Sequence, residues 1–343
     1  MVEFNKKVSI VIPARNEQAY IGKCIDSFMN QTYPKELFNV IIADGNSTDT
    51  TREIIEEYKQ KHHNIYVVNN PKITAPTGMN LAINYMDSDI VIIFGAHAHA
   101  DKDFILENVK ALENDEVGCV GGVIKTINDT IKGEAIALAM SCPFGVGNAL
   151  FRFADKETYV DTVGFGGYRR SLLEEIGIFD EELVRNQDDE LNFRVVKSGT
   201  KILLTPKIKS KYYSRGSYKK LWKQYFQYGY WKVRVIQKHN RPAALRHLIP
   251  MLFVIFLFGG AILSIFSSLA RITFLGILAL YLLLDIIFSA KLSIRNRLSC
   301  FLFILPTFLI LYLSYGIGFL LGLLNFCVIK NNEITEKNTR LSR

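Results

Sequence analysis

Two short apolar runs near the N-terminus each end abruptly in polar residues. The first, Val8–Pro13, leads into Arg15–Glu17, and the second, Val40–Ala43, leads into Asp44 and a Gly-Asn-Ser turn. β-Branched apolar runs of this length are typical of buried parallel strands. For either polar segment, the alternative is that these residue types occupy a turn for conformational reasons alone. Because ligands bind outside the carboxyl ends of strands in open α/β sheets, the pair predicts one crevice lined by these polar residues.

Long apolar runs dominate the last third of the chain. Leu248–Ala270 carries no charge and is long enough to cross a bilayer. Ile272–Ala290 follows with Asp285 as its one charge, and Ser299–Ile329 is uncharged but contains Pro306 and three glycines. A buried core helix is the alternative for any single run. Three in succession predict a membrane region over 248–329, with segments 248–270, 272–290 and 299–329, and a polar tail over 330–343.

Composition and charge agree with a membrane protein that has a polar domain. The 343 residues are 49% hydrophobic and carry a net charge of +8, and the length accommodates one large domain and something smaller. Basic residues gather ahead of the first apolar run, where they would meet anionic lipid or a lipid diphosphate; no nucleic-acid motif accompanies them, and no nucleic-acid partner is expected. These residues are Lys219, Lys220, Lys223, Lys232, Arg234, Lys238, Arg241 and Arg246.

The same basic residues predict the orientation. By the positive-inside rule they lie in the cytosol, and no signal-peptide core precedes Val8, so the N-terminal domain is expected to be cytosolic and the protein integral to a bacterial-type plasma membrane. Three full spans would place the tail outside, against that rule, although it carries Lys330, Lys337, Arg340 and Arg343. A re-entrant or broken third segment would return the tail to the cytosol. Three spans is the expectation adopted.

Residues 218–247 belong neither to the N-terminal domain nor to a membrane-spanning segment. Aromatic residues, among them Tyr218, Trp222, Tyr225 and Tyr230, interleave with the lysines. This mixture at helical spacing predicts an interfacial helix, with rings at headgroup depth and ammonium groups toward phosphate. A helix packed on the preceding domain is the alternative. The five cysteines are scattered without CxxC spacing, which favours reduced core residues.

The two N-terminal junctions resemble the signature of the family 2 glycosyltransferases. They read Pro13-Ala-Arg-Asn16-Glu17 and Asp44-Gly-Asn-Ser47-Thr-Asp49, and the resemblance covers roughly residues 6–217. It implies an α/β GT-A fold over 1–217, a mostly parallel mixed sheet with flanking helices. It also implies a nucleotide-sugar donor, expected to be a UDP-sugar. The donor-binding residues that it implies are Pro13, Ala14, Arg15, Glu17, Asp44, Asn80, Gly95 and Ala96.

The family places its catalytic base in a Glu-Asp-x-x-Leu motif that opens a helix. This chain has Gln187-Asp188-Asp-Glu-Leu191, so the resemblance implies Asp188 as the base, with Gln187 in place of the usual Glu. An acidic first turn that complements the helix dipole is the alternative. Upstream, the resemblance implies that Gly166, Gly167 and Arg169, together with Gln187, contact the donor and acceptor sugars.

The metal motif departs from the family pattern. Its Asp-x-Asp corresponds here to Gly95-Ala96-His97, and a succinoglycan-type branch of bacterial exopolysaccharide glycosyltransferases resembles this chain in having His at the last position. His97 is the predicted ligand of a divalent cation, Mn²⁺ or Mg²⁺, although hard cations prefer oxygen. Donation of a hydrogen bond to the diphosphate is the alternative. A transition-metal site formed by His97, His99 and Asp101 is a further hypothesis.

A second motif, Gln227-Tyr-Gly-Tyr-Trp231, is similar to the Gln-x-x-Arg-Trp motif of processive polysaccharide synthases. Tyr230 stands where Arg is expected, and three spans leave little material for a channel. The expectation is non-processive transfer, with Gln227 and Trp231 at the acceptor. Asp285 is either a functional intramembrane charge or a residue near the interface.

Together these features predict a membrane-anchored inverting glycosyltransferase. It would move a sugar onto a polyprenyl-diphosphate-linked saccharide during exopolysaccharide or surface-glycan synthesis. A polyprenyl-phosphate sugar synthase is the alternative within the same class. A non-catalytic nucleotide-binding scaffold, with partners in a polysaccharide assembly complex, is the alternative from another class.

Overall fold

The computed structural model describes residues 5–240 and 244–339. Arg241, Arg340 and Arg343, which were counted above among the basic residues, lie outside them. The chain divides into two compact units. The first contains the residues up to Lys125 together with Leu150–Tyr213, and the second contains Thr126–Ala149 and the chain from Ser214 onward.

The first unit is built on a mixed nine-stranded sheet with the order β3-β2-β1-β4-β8-β6-β9-β5, in which β7 also pairs with β9. Strands β1 to β4 are parallel, and β8 is antiparallel to β4. The strands are β1 (Val8–Ala14), β2 (Phe38–Asp44), β3 (Ile65–Asn69), β4 (Ile90–Ile93), β5 (Ala98–Ala100), β6 (Val117–Ile127), β7 (Thr158–Val160), β8 (Gly167–Arg169) and β9 (Lys201–Tyr213).

Helices flank this sheet and make up most of the second unit. They are α1 (Ile21–Met29), α2 (Thr51–Lys61), α3 (Ala75–Ile83), α4 (Phe104–Ala111), α5 (Ile131–Met140), α6 (Pro143–Val146), α7 (Arg170–Ile176), α8 (Gln187–Lys197), α9 (Tyr218–His239), α10 (Ile249–Phe266), α11 (Ser268–Arg295), α12 (Phe301–Leu323) and α13 (Asn332–Thr339).

The central strands are apolar throughout because both of their faces are covered. Ile10 and Ile12 face a cluster that includes Phe28 of α1. Val11, between them, faces the opposite cluster with Leu191 of α8. The sheet is therefore the middle of three layers. Its register places the ends of β1 and β2 level, with Ala14 beside Asp44, so the loops that follow both strands start at one edge.

In the second unit, three helical stretches within the described residues are long and apolar enough to cross a membrane: Leu245–Phe266, Ser268–Arg295 and Leu298–Ile329. The turn between the first two lies at Ser267 rather than at Arg271, where the charge pattern suggested it. The Ser267 hydroxyl accepts a hydrogen bond from the Ala270 amide and caps α11. Arg271 closes the same turn, since its Nε donates to the Ser264 carbonyl.

Residues 126–149, which the predicted domain 1–217 includes, group with the C-terminal helices. Phe144 of α6 packs between Phe288 of α11 and Phe308 of α12, with ring centroids 4.9 Å from each. The Tyr312 hydroxyl donates to the Phe144 carbonyl over 2.9 Å. This segment is thus anchored among helices that follow it by more than a hundred residues of sequence.

Candidate active site

Hydrogen bonds join the loops that follow β1 and β2. The Asn16 amide donates to Ser47 Oγ over 3.0 Å, and Asn16 Oδ1 accepts from the Thr48 amide over 2.8 Å. The Glu17 amide donates to Thr51 Oγ1 over 2.7 Å. Asn16 has φ +53°, a left-handed conformation that Asn tolerates better than most residues. The two predicted polar junctions therefore form one continuous edge, as a shared crevice requires.

Asp44 is held in a fixed orientation within this edge. Its Oδ1 accepts from Ser47 Oγ over 2.6 Å, and its Oδ2 lies 3.7 Å from an Arg52 guanidinium nitrogen. The Gly45 amide donates to the Ala14 carbonyl over 2.8 Å, which ties the ends of the two strands together. Asp44 is only 6% exposed. A carboxylate oriented in this way can accept hydrogen bonds from a sugar or base hydroxyl or amine.

Gly95, Ala96 and His97 form the turn between β4 and β5. The Ala98 amide donates to the Gly95 carbonyl over 3.0 Å, and a Cβ at Gly95 would come within 3.0 Å of the Phe165 ring. His97 Nδ1 lies 3.2 Å from Glu17 Oε1. The structure therefore brings Glu17 and His97 together, although the sequence assigned them to different loops and different roles.

Glu17 and His97 place one carboxylate and one imidazole side by side, and the predicted role of His97 as a cation ligand stays a prediction. Among the residues that the structure describes, no group of three or more His, Cys, Asp or Glu side chains could hold a metal ion. His97, His99 and Asp101 form no such group: the His99 ring packs against Tyr213, 5.6 Å away, whereas the His97 ring packs against Tyr212. One carboxylate and one imidazole suit Mn²⁺ better than Mg²⁺.

His99 has an environment that disfavours its charged form. Burial lowers the pKa of its imidazole, and the nearby ammonium groups of Lys23 and Lys211 lower it further. Its Nε2 is buried and has no hydrogen-bond partner. His99 lies in strand β5, where its ring packs against Tyr213 and its surroundings favour the neutral form.

Three consecutive acids open α8, and their environments differ. Asp189 accepts a hydrogen bond from Thr162 Oγ1 over 3.0 Å. Glu190 is 3% exposed and pairs with Arg194 over 2.8 Å. Asp188 is the exposed member of the three. A general base must reach the proton that it removes, and the exposure of Asp188 is compatible with that role, which stays a prediction.

Helix α8 is fixed from two directions. Arg194 donates to the carbonyls of Ile176, Gly177 and Ile178 over 2.6 to 2.7 Å, in addition to its pair with Glu190. On the other side, Asn192 Oδ1 accepts from the Tyr168 hydroxyl over 2.9 Å, and burial raises the pKa of that hydroxyl well above its usual value. Gln187 is the first residue of this helix and is partly exposed beside Asp188.

Asn80 contacts the loop that leads to α8. Its side-chain Nδ2 donates to the Phe179 carbonyl over 2.8 Å, and its Oδ1 accepts from the Phe179 backbone amide over 3.0 Å. Nδ2 also lies 3.3 Å from Glu181 Oε1, and the hydrogen bond from Lys72 lowers the pKa of that carboxyl. Both polar atoms of the Asn80 amide therefore hold the protein's own loop, and a direct role in donor binding stays a prediction.

The predicted sugar-binding residues of β8 lie at different ends of the sheet. Gly167 pairs with Ile92, and the Gly166 carbonyl accepts from the Ile93 amide, near the carboxyl end of β4. Arg169 pairs with Ile90, at the amino end. Its guanidinium donates to three carbonyls around the end of α4, those of Leu112, Asn114 and Val117. The structure thus brings the two glycines, but not Arg169, to the crevice edge.

Gln227 and Trp231 lie on α9, in the second unit. Gln227 Nε2 and Trp231 Nε1 both donate to the Asn338 carbonyl, over 3.0 and 3.1 Å. Both side chains are buried and hold α13. Their assignment to the acceptor stays a prediction.

Two contributors to the site carry no motif in the sequence. Tyr212 packs edge-on against His97, with ring centroids 5.0 Å apart, and the Arg152 guanidinium lies 5.4 Å from the centre of the Tyr212 ring. Tyr212 alternates with exposed lysines along β9, and this period-2 pattern marks it as inward-facing. Nothing in the sequence around Arg152 indicates its position.

Comparisons with known proteins identify relatives of this chain. A family model described as "Glycosyl transferase family 2" matches residues 9–177. The chain is 36% identical, over 67% of its length and 74% of the relative's, to the dolichyl N-acetyl-alpha-D-glucosaminyl phosphate 3-beta-D-2,3-diacetamido-2,3-dideoxy-beta-D-glucuronosyltransferase of Methanococcus voltae. It is 29% identical to the succinoglycan biosynthesis protein ExoA of Rhizobium meliloti, over 76% of this chain and 79% of that protein.

A solved structure with a similar fold is the mannosyltransferase PcManGT from Pyrobaculum calidifontis, in complex with GDP-mannose and Mn²⁺. The TM-score is 0.62 at 17% sequence identity, over 91% of this chain and 88% of that one. The predicted fold, a mixed sheet with flanking helices followed by apolar helices, is confirmed.

Proposed function

The chain belongs to glycosyl transferase family 2, and we propose that it moves a sugar from a UDP-sugar onto a saccharide carried by a polyprenyl diphosphate, with inversion at the anomeric carbon. The relative from Methanococcus voltae is named for a dolichyl-linked N-acetylglucosaminyl phosphate, and the Rhizobium relative for succinoglycan biosynthesis. The first name supports a lipid-linked acceptor, and the second supports a role in polysaccharide synthesis.

The observation that carries this proposal is the exposed Asp188 at the start of α8. Asp189 and Glu190 beside it are bonded to Thr162 and Arg194. In the proposed reaction, the Asp188 carboxylate takes the proton of an acceptor hydroxyl. The acceptor oxygen then forms its bond to the anomeric carbon as the bond to the nucleoside diphosphate breaks, and the electron pair leaves with the diphosphate. Attack from the face opposite the leaving group inverts the configuration.

The joined loops after β1 and β2 are the proposed nucleotide site. Asp44, oriented by Ser47 and Arg52, would accept hydrogen bonds from the base or ribose. Pro13, Ala14 and Arg15 lie at the end of the neighbouring strand β1, where Ala14 pairs with Asp44 in register.

A divalent cation is typical of this fold, and the PcManGT structure contains Mn²⁺. His97 and Glu17, 3.2 Å apart, are the side chains that would hold it. Bound there with the diphosphate, the cation would neutralise charge on the leaving group. The protein's own part is to fix both side chains, Glu17 through the Thr51 bond to its amide and His97 against Tyr212.

The apolar helices associate the protein with a membrane, where a lipid-linked acceptor resides. Lys219, Lys220 and Lys223 at the start of α9 are exposed and would contact anionic lipid. Under the positive-inside rule this end of α9, and the first unit before it, would be cytosolic.

The test is transfer of radiolabelled sugar into lipid extract by membranes that contain the protein. UDP-glucose, UDP-galactose, UDP-GlcNAc and GDP-mannose are supplied in turn, each with polyprenyl phosphate or with polyprenyl-diphosphate-linked saccharides as acceptor. Transfer from one UDP-sugar to a saccharide acceptor supports the proposal. Transfer to bare polyprenyl phosphate identifies a polyprenyl-phosphate sugar synthase instead. UDP binding without transfer to any acceptor favours a non-catalytic scaffold.

A further inference from the structure

Helices α9 and α12 lie side by side and run in the same direction. At their starts the Tyr218 hydroxyl donates to the Phe303 carbonyl over 2.9 Å. At their ends Gln237 Nε2 lies 3.3 Å from Cys327 Sγ, just beyond α12. The pairing therefore extends along the full length of α9.

Glycines on α12 allow this close approach. A Cβ at Gly318 would collide with the Phe226 carbonyl, and one at Gly322 would lie 2.6 Å from the Tyr230 carbonyl. Backbone-to-backbone packing of this kind leaves no room for lipid between the two helices. The long apolar stretch that includes α12 is accordingly 39% buried, against 6% and 11% for the other two.

Helices α10 and α11 form an antiparallel hairpin that is less buried than the α9–α12 pair. Phe256 packs against Phe274, and Phe253 against Tyr281, with ring centroids 5.4 and 4.7 Å apart. Beyond these contacts, toward the turn, α10 presents bare apolar side chains. Phe258, Ile262, Leu263 and Phe266 are 58 to 81% exposed, as expected for side chains that face lipid.

Helix α12 crosses this hairpin only near its open end. Gly316 lies against the Pro250 carbonyl at the very start of α10, and the Tyr312 ring is 5.4 Å from that of Phe253. The exposed side chains of the outer half of α10 show that α12 does not accompany it. The rest of α12 follows α9 instead.

The charges of α9 agree with this arrangement. The helix carries cations toward both ends: Lys219, Lys220 and Lys223 in its first half, and Arg234 and Lys238 in its second. If α12 crossed the bilayer, its partner α9 would have to enter the bilayer with it. Lysine and arginine are costly there, but both suit a helix at the headgroup level.

The C-terminal helix is fixed to the same pair. The Asn338 carbonyl accepts from Gln227 and Trp231, and Thr335 Oγ1 lies 3.1 Å from the Tyr230 hydroxyl. We infer that only the α10–α11 hairpin crosses the membrane, that α9 and α12 lie together at one membrane face, and that α13 lies on that same face. This topology has two spans rather than the expected three, and it places the tail on the side where α9 begins.

Accessibility of single cysteines tests the inference. The background is Cys327→Ser, because Cys327 is the exposed one among the five cysteines and the other four are buried. The reporters are Lys220→Cys at the start of α9, Ser268→Cys at the hairpin turn and Glu336→Cys on α13, all exposed positions. Each is treated with a membrane-impermeant maleimide in right-side-out and in inverted vesicles.

The expected result is that Glu336→Cys and Lys220→Cys react in one vesicle type and Ser268→Cys reacts in the other. Reaction of Glu336→Cys together with Ser268→Cys would establish three spans and overturn the inference. Reaction of all three in one vesicle type would show that no helix crosses, and would overturn it equally. Lys337→Cys is the second reporter on α13; failure of both α13 reporters to react except in detergent would place α13 within the bilayer, against the inference.

Discussion

Arg194 lies in the last turn of α8 and ties this helix to the loop that follows α7. Its replacement by methionine is the most direct probe of how the helix that carries Asp188 is positioned. The guanidinium is 19% exposed and its partner Glu190 is 4% exposed. Removing one member of such a pair leaves a buried charge and costs about 3–5 kcal/mol. Three carbonyl acceptors lose a donor as well, at about 1 kcal/mol each, although the one at Gly177 is exposed and can take water instead.

Because Arg194 is partly exposed, the lower end of this range, about 3 kcal/mol, is the expected loss. Hydrogen exchange of the amides of α8 measures it directly as the free energy of local opening. A loss of this size speeds exchange by about 100-fold. The double variant Glu190→Met with Arg194→Met removes both charges and is expected to recover much of the protection. Exchange in Arg194→Met within threefold of wild type would refute the reasoning, as would a double variant no better protected than the single one.

Three further predictions follow from the site and its surroundings. Glu17→Gln removes the carboxylate beside His97 and is expected to weaken the apparent affinity for Mn²⁺ in the transfer assay by about tenfold or more; an unchanged Mn²⁺ titration would contradict the assignment. His99 has a lowered pKa in the folded protein, so its contribution to stability is fully present above its unfolded pKa and is lost as the pH falls through its folded pKa. Lowering the pH from 7.5 to 5 should therefore lower the thermal midpoint of wild type more than that of His99→Gln, and equal slopes would contradict this. Arg169→Ala removes donors from carbonyls at the end of α4 and should lower the thermal midpoint while leaving the KM for the donor within twofold; a large rise in that KM with no loss of stability would instead support a sugar-binding role.

The sequence predicted those parts of the fold that depend on local pattern. β-Branched runs identified β1 and β2, and their polar ends identified a shared edge, because strand direction and register follow from a parallel sheet. The contact between Glu17 and His97 was not predictable, since the two residues are eighty positions apart and meet only because β4 pairs beside β1.

Register also decides what Arg169 does. In β8 it is two residues from Gly167, yet the antiparallel pairing places it at the amino end of β4, away from the crevice. Segment 126–149 shows the same limit on a larger scale. Phe144 finds its partners on α11 and α12, and no local signal in a short Pro-Phe-Gly-Val stretch indicates helices so distant in the chain.

Hydropathy and the packing lead to different membrane topologies. Counting uncharged runs gives three spans, because hydropathy cannot distinguish a helix surrounded by lipid from one buried against another helix. The glycines of α12 that appear as interruptions in the sequence are the contacts with α9 and α10 in the structure.

The measurement that tests the central claim most directly compares sugar transfer by wild type, Asp188→Asn and Glu175→Gln in the same membranes at equal protein. Glu175 is an exposed acid on α7 outside the proposed site, and its variant is the matched control for loss of a carboxylate. Asp188→Asn is expected to reduce the transfer rate by about 10²- to 10⁴-fold, with donor binding retained and Glu175→Gln equal to wild type. Transfer by Asp188→Asn at the wild-type rate would contradict the assignment of the base and, with it, the proposed reaction.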